Sequence, residues 1–180
     1  MNYLKHFYKP KSIYCVSLKK ECCSESSEIV VNSLRMAKNK VVIIAYKFDN
    51  IAIFNQLKLT LKKGIKVCMI LDYKQNHQNK FVHELKDLGA DIHLWKKTEK
   101  LHAKFMIIDD THVLTGSFNL TTETTTSSHR HKVDLIISLY DYNAIQSFTY
   151  IYNDMMQLLK NDVCTECNGN QVFIKDDQVE

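Results

Sequence analysis

The chain has 180 residues, 45% of them apolar, with only four glycines and one proline. That suffices for the core of one ordinary domain and excludes a disordered or low-complexity protein. The net charge is +4, but residues 161–180 hold Asp162, Glu166, Asp176, Asp177 and Glu180 against Lys175, a net −4 that leaves +8 on residues 1–160. A basic body with an acidic tail fits an anionic partner such as nucleic acid or phospholipid headgroups. The opening MNYLKHFYKPK has no continuous apolar stretch, and the longest apolar run covers 41–46. Neither a secretory signal nor a membrane anchor is therefore expected, and the six cysteines read as reduced thiols of an intracellular protein, cytoplasmic or nuclear. Cys15, Cys22, Cys23, Cys164 and Cys167 lack a regular ligand spacing, so ordinary thiols are favoured over a structural zinc site.

In chain order, 13–18 reads as a strand, and Ser24 and Ser27 offer N-caps for a helix that buries Val30, Leu34 and Ala37. Residues 41–46 are β-branched and apolar on both faces, as a buried central strand requires. A second helix opens near Asp49 or Asn50, turns Phe54, Leu57 and Leu61 inward, and ends at Gly64. Residues 65–71 form the next strand. A third helix carries Phe81, Leu85 and Leu88, closes at Gly89, and leads to a strand over 91–95. Residues 101–108 and 112–115 make a hairpin around Asp109, Asp110 and Thr111. A strand over 133–139 precedes a long helix over 141–160, with Ile145, Phe148, Ile151, Tyr152, Met155 and Leu159 on its inner side. The expected fold is α/β, a mixed β-sheet flanked by helices on both faces, in one catalytic domain over 1–160 with a flexible acidic tail over 161–180. No internal repeat is present.

The segment KLHAKFMIIDDTHVLTGSFNL, 100–120, interrupts this apolar pattern. In a strand over 101–108, His102 and Lys104 share a face opposite Leu101, Ala103 and Phe105. Asp109 follows, and Gly116, Ser117 and Asn119 return alongside on the second arm. The pattern is H-x-K-x4-D-x6-G-S-x-N. Six fixed positions at about 5% each make an accidental match on the order of one in a few hundred thousand chains of this size.

This is the signature motif of the phospholipase D superfamily. The chain resembles its single-motif branch, which includes bacterial endonucleases and mitochondrial cardiolipin hydrolases, over roughly residues 11–160. The AYKF turn after the central strand and the LKKGIKVCMILD and LKDLGADIHLW segments carry the likeness further. The resemblance implies a phospholipase D-like fold and phosphodiester cleavage without a metal or other cofactor. His102 would attack phosphorus, Lys104 and Asn119 would stabilise the phosphoryl oxygens, and Asp109 and Ser117 would support them by orienting the imidazoles and lysine or by bonding the phosphate. Gly116 would let the backbone approach the substrate. With one motif and no repeat, two protomers would share the site as a homodimer.

Relatives continue after the asparagine to Asn-x-Glu-Asn, whereas residues 127–131 here read SSHRH. Arg130 or His131 would then bind phosphate, and Glu123 or Asp134 would replace the carboxylate. His112 and His129 are further candidates, although exposed loop or strand histidines are the ordinary account. The basic body and Lys96, Lys97 and Lys100 on the approach to His102 favour nucleic acid, single-stranded by preference because no groove-reading helix is evident. Trp95 and Phe118 are candidates for base stacking or for the core. The alternatives are a phospholipase acting on a lipid such as cardiolipin and a nucleic-acid phosphate-binding module with weakened catalysis.

Overall fold

The computed structural model describes residues 13–16, 23–122 and 134–161. The elements run β1 (Ile13–Val16), α1 (Cys23–Met36), β2 (Lys40–Ala45), α2 (Ile51–Lys62), β3 (Lys66–Asp72), α3 (Tyr73–Asn76), α4 (Lys80–Asp87), β4 (Asp91–Trp95), β5 (Phe105–Ile108), β6 (His112–Gly116), β7 (Asp134–Leu139) and α5 (Tyr142–Asn161). The seven strands form one sheet in the order β1-β7-β6-β5-β2-β3-β4. Strands β2, β3 and β4 are mutually parallel and every other neighbouring pair is antiparallel. The mixed α/β sheet is therefore as expected.

Strand β2 is central because both of its faces are apolar. Val41, Ile43 and Ala45 join the core made with Val30 and Leu34 of α1, Leu57 of α2 and Leu85 of α4. Val42 and Ile44 join the core under Ile145, Tyr152 and Met155 of α5. Alternation along one strand thus feeds two hydrophobic layers. Ile151, expected on the inner side of α5, is 44% exposed. At 100° per residue it falls beside Tyr152 but outside the arc that meets the sheet.

Helix ends follow local chemistry. The Asn50 side chain accepts from Ala52 N and Ile53 N, and Asn79 does the same for Phe81 N. Gly64 and Gly89, just past their helices, have φ of +77° and +96°, a conformation that glycine adopts without steric cost. Asp72 caps the short α3, which the sequence reading did not anticipate. The β5–β6 hairpin turns through Asp109 and Asp110, both at positive φ (51° and 52°), with Thr111 N donating to Ile108 O at 3.1 Å. No described helix is long and apolar enough to cross a membrane. The tail expected as flexible lies outside the described residues, apart from the backbone of Asn161.

Candidate active site

The register decides which motif residues meet. Ile44 pairs with Phe105 and Phe105 with Thr115, so the end of β2, the entry to β5 and the exit of β6 lie at one edge of the sheet. Strand β5 begins at Phe105 rather than at residue 101. Residues 101–104 have no ladder partner, and beyond Ala45, which would oppose Lys104, β2 offers none. They are held by other bonds instead. Leu101 N donates to the buried Asp72 carboxylate (3.3 Å), Thr115 Oγ1 to Lys104 O (3.0 Å), and Lys104 Nζ to His102 O (2.8 Å).

The hub of this edge is Tyr46. Its ring centroid lies 5.4 Å from that of His102, and the ammonium groups of Lys100 and Lys104 lie 4.3 and 5.8 Å from it. His102 is exposed and Lys104 half-buried, so both reach solvent from a fixed base. Tyr46 itself is clamped from below. Fully buried Asn76 donates to Tyr46 O and Asp72 O, both at 2.8 Å, and accepts from Phe48 N at 3.1 Å. Asn79 Nδ2 donates to Phe48 O.

The same loop carries Asn119. Phe48 forms a parallel bridge with Leu120, and the amides of Asp49 and Asn50 both donate to Leu120 O (2.9 and 3.1 Å). Phe118 and Leu120 are buried, which leaves Asn119 between them exposed at the site edge. Ser117 is likewise exposed. Its amide donates to Leu135 O (3.0 Å) and its hydroxyl accepts from Leu135 N (2.9 Å).

These constraints carry a family signature. Residues 30–156 match the family described as "Cardiolipin synthase, PLD-like domain". The chain is a phospholipase D-like protein. It is 27% identical over 124 residues to a phospholipase D of Rickettsia conorii, a match covering 68% of this chain and 60% of that protein. A mitochondrial cardiolipin hydrolase of Chlamydomonas reinhardtii is 29% identical over 99 residues, 54% of this chain and 43% of that one. The chain thus spans less than two thirds of the length of these relatives. In fold it is similar to NucT from Helicobacter pylori (TM-score 0.68, 22% identity, 81% of this chain and 94% of that one). Nuc of Salmonella typhimurium, a phospholipase D family member, is similar to the same degree (0.67, 19%, with the same coverage).

In this phospholipase D-like chain the motif aspartate stands apart from the histidine. Asp109 is five residues past Lys104, about 16 Å along a strand, and its carboxylate accepts from the amides of Lys38 (2.8 Å), Asn39 (2.7 Å) and Lys40 (3.0 Å). Burial pushes its pKa up, but those three N–H bonds and the Lys38 charge outweigh it and hold the carboxyl below its ordinary value. The expectation that Asp109 orients the imidazole or the lysine does not fit this place. Gly116 also meets a packing constraint. At φ +149°, a Cβ there would lie 1.8 Å from Leu135 O, so the close approach it permits is to the backbone of β7.

Among the lysines, Lys96 Nζ lies 4.7 Å from the Tyr73 ring, while Lys97 Nζ donates to Leu158 O in the last turn of α5 (3.2 Å). Trp95 and Phe118 both pack into the cores, the former with its Nε1 donating to Glu99 O. His112 lies at the far end of the sheet, stacked on Tyr140 and 2.6 Å from Ser138 Oγ, with burial pushing its pKa down. Arg130, His131, Glu123, His129, Cys22, Cys164 and Cys167 lie outside the described residues, as do the side chains of Cys15, Cys23 and Asp134. Sequence reasoning missed Tyr46, Asp72, Asn76 and Asn79 as framing residues. Their signal was the AYKF turn and two asparagines between a strand and a helix.

Proposed function

We propose that the chain is a metal-independent phosphodiesterase that cleaves nucleic acid, single strands by preference, through a covalent phosphohistidine. One observation supports the reading: the pairing of Phe105 with Ile44 and Thr115 brings the segments that carry His102, Lys104, Ser117 and Asn119 to one end of the sheet, and Lys100 shares the Tyr46 ring with His102 and Lys104. A phosphodiester repels nucleophiles, so cations and donors must meet the negative oxygens while a neutral nitrogen attacks.

A deprotonated ring nitrogen of His102 forms a bond to phosphorus as the bond to the leaving oxygen breaks, and that oxygen takes a proton from His102 of a second copy. The second imidazole, now neutral, removes a proton from water, which attacks phosphorus and displaces the first histidine. Lys104 and Asn119 bond the non-bridging oxygens, and Ser117 holds the turn between them. A single motif supplies one histidine per protomer, so the reaction requires a homodimer with the two edges facing each other.

The names of the Rickettsia and Chlamydomonas relatives support a second reading, hydrolysis of a phospholipid. Cleavage of labelled single- and double-stranded DNA, RNA and cardiolipin vesicles in excess EDTA, with His102→Ala as control, separates the two. Nucleic-acid cleavage that survives chelation and vanishes in the variant is expected. Lipid cleavage alone establishes the second reading, and binding without cleavage establishes a phosphate-binding module.

A further inference from the structure

The chain from β4 to β5 must cross the ends of β3 and β2, because the sheet order places those two strands between them. The crossing is pinned in the middle by Leu101 N on Asp72, the last residue of β3. It lays its lysines on aromatic rings supplied by the strands it crosses. Lys96 meets Tyr73, the residue after β3, and Lys100 meets Tyr46, the residue after β2. Neighbouring strands are about 4.8 Å apart, so the two lysine–tyrosine pairs stand in sequence along the edge, the second one against His102.

The outer pair is itself built. Tyr73 stacks on His77, with centroids 4.7 Å apart and planes 14° from parallel, and His77 Nδ1 lies 2.9 Å from Tyr73 O. The His77 carbonyl lies in turn 2.9 Å from His83 Nε2. The ring that holds Lys96 is therefore fixed by α3. A ring under an ammonium restricts the lysine's rotamers, so less entropy is lost when a phosphate is bound.

We propose that Tyr73 and Lys96 form a second phosphate subsite. It takes the phosphate that flanks the scissile one in a nucleic-acid single strand laid along the β4–β5 crossing toward His102. The subsite rests on the nuclease reading and gives it a direction of substrate entry. It also separates substrates by length, because a dinucleotide has one internal phosphodiester and nothing to place on Lys96.

The test compares kcat/KM for a dinucleotide and for a longer single-stranded oligonucleotide in full-length protein. Lys96→Ala is expected to cost the oligonucleotide at least about fivefold more than the dinucleotide and to lower the salt dependence of oligonucleotide binding by about one unit of slope. Tyr73→Leu shifts the ratio in the same direction, and Tyr73→Phe, which keeps the ring, restores it. Equal losses on both substrates with an unchanged salt slope overturn the subsite while leaving the nuclease reading in place. Failure of the unmodified protein to cleave either nucleic acid overturns both.

Discussion

At the entry to β5, His102 and Lys104 stand around the Tyr46 ring and reach solvent, whereas at its exit the Asp109 carboxylate is consumed by three backbone amides within 3.0 Å. The two ends belong to one sequence motif and one short strand. At the entry the His102 side chain is exposed and the Lys104 ammonium donates to the His102 carbonyl. The exit spends both Asp109 carboxylate oxygens on closing the turn between α1 and β2. On the proposed mechanism, a motif read as one catalytic unit divides into a chemical end and a structural end, and the variants that probe each end should fail differently.

The largest effect is expected from His102→Ala, a loss of at least about a thousandfold in kcat/KM with little change in Tm, since the nucleophile is lost and no core contact with it. Gly116→Ala should do the reverse. Its Cβ cannot coexist with Leu135 O, so thermal unfolding should show a destabilisation of more than about 3 kcal/mol. Asp109→Ala should cost about 2 kcal/mol, roughly 4–8 °C in Tm, through the unsatisfied amides and a positive φ that alanine tolerates poorly.

Asp109 also gives the comparison a pH signature. Its carboxyl is held below the ordinary value, so its stabilisation is fully present above the unfolded pKa of about 3.9 and is lost as pH falls through the lower folded pKa. Tm of the protein and of Asp109→Asn should therefore differ most above about pH 5 and converge in stronger acid. While both are folded, their kcat/KM should stay within about threefold; a hundredfold loss in Asp109→Asn would return the aspartate to the chemical end. Between His102→Ala and Asp109→Asn lies Tyr46→Leu, expected to cost about tenfold in kcat with KM less affected, because His102 and Lys104 keep their backbone anchors but lose the ring between them.

What the sequence made legible were features set within a few residues. The apolar run of β2, the Asn50 cap and the Gly64 and Gly89 stops needed no partner, and the structure has them all. The motif itself was legible because its spacing is rigid. The misread details depend on distant chain. Strand β5 starts four residues late, and β2 offers no partner beyond Ala45. The bonds of Asp109 were not legible because its amide partners lie some seventy residues earlier. The need for Gly116 in packing against β7 likewise depends on distant chain. Tyr46 looked like the end of a core strand, and only the return of 100–104 across the sheet edge makes it a hub.

The most direct test of the chemical end is to trap its intermediate. A labelled oligonucleotide is mixed with excess protein, the reaction is stopped in alkaline detergent at successive times, and protein-bound label is followed and mapped by peptide. The account predicts a label that rises and decays ahead of final product, resides on the peptide containing His102, and is absent from His102→Ala. Complete cleavage with no protein-bound label at any time, or the same label on His102→Ala, would contradict it.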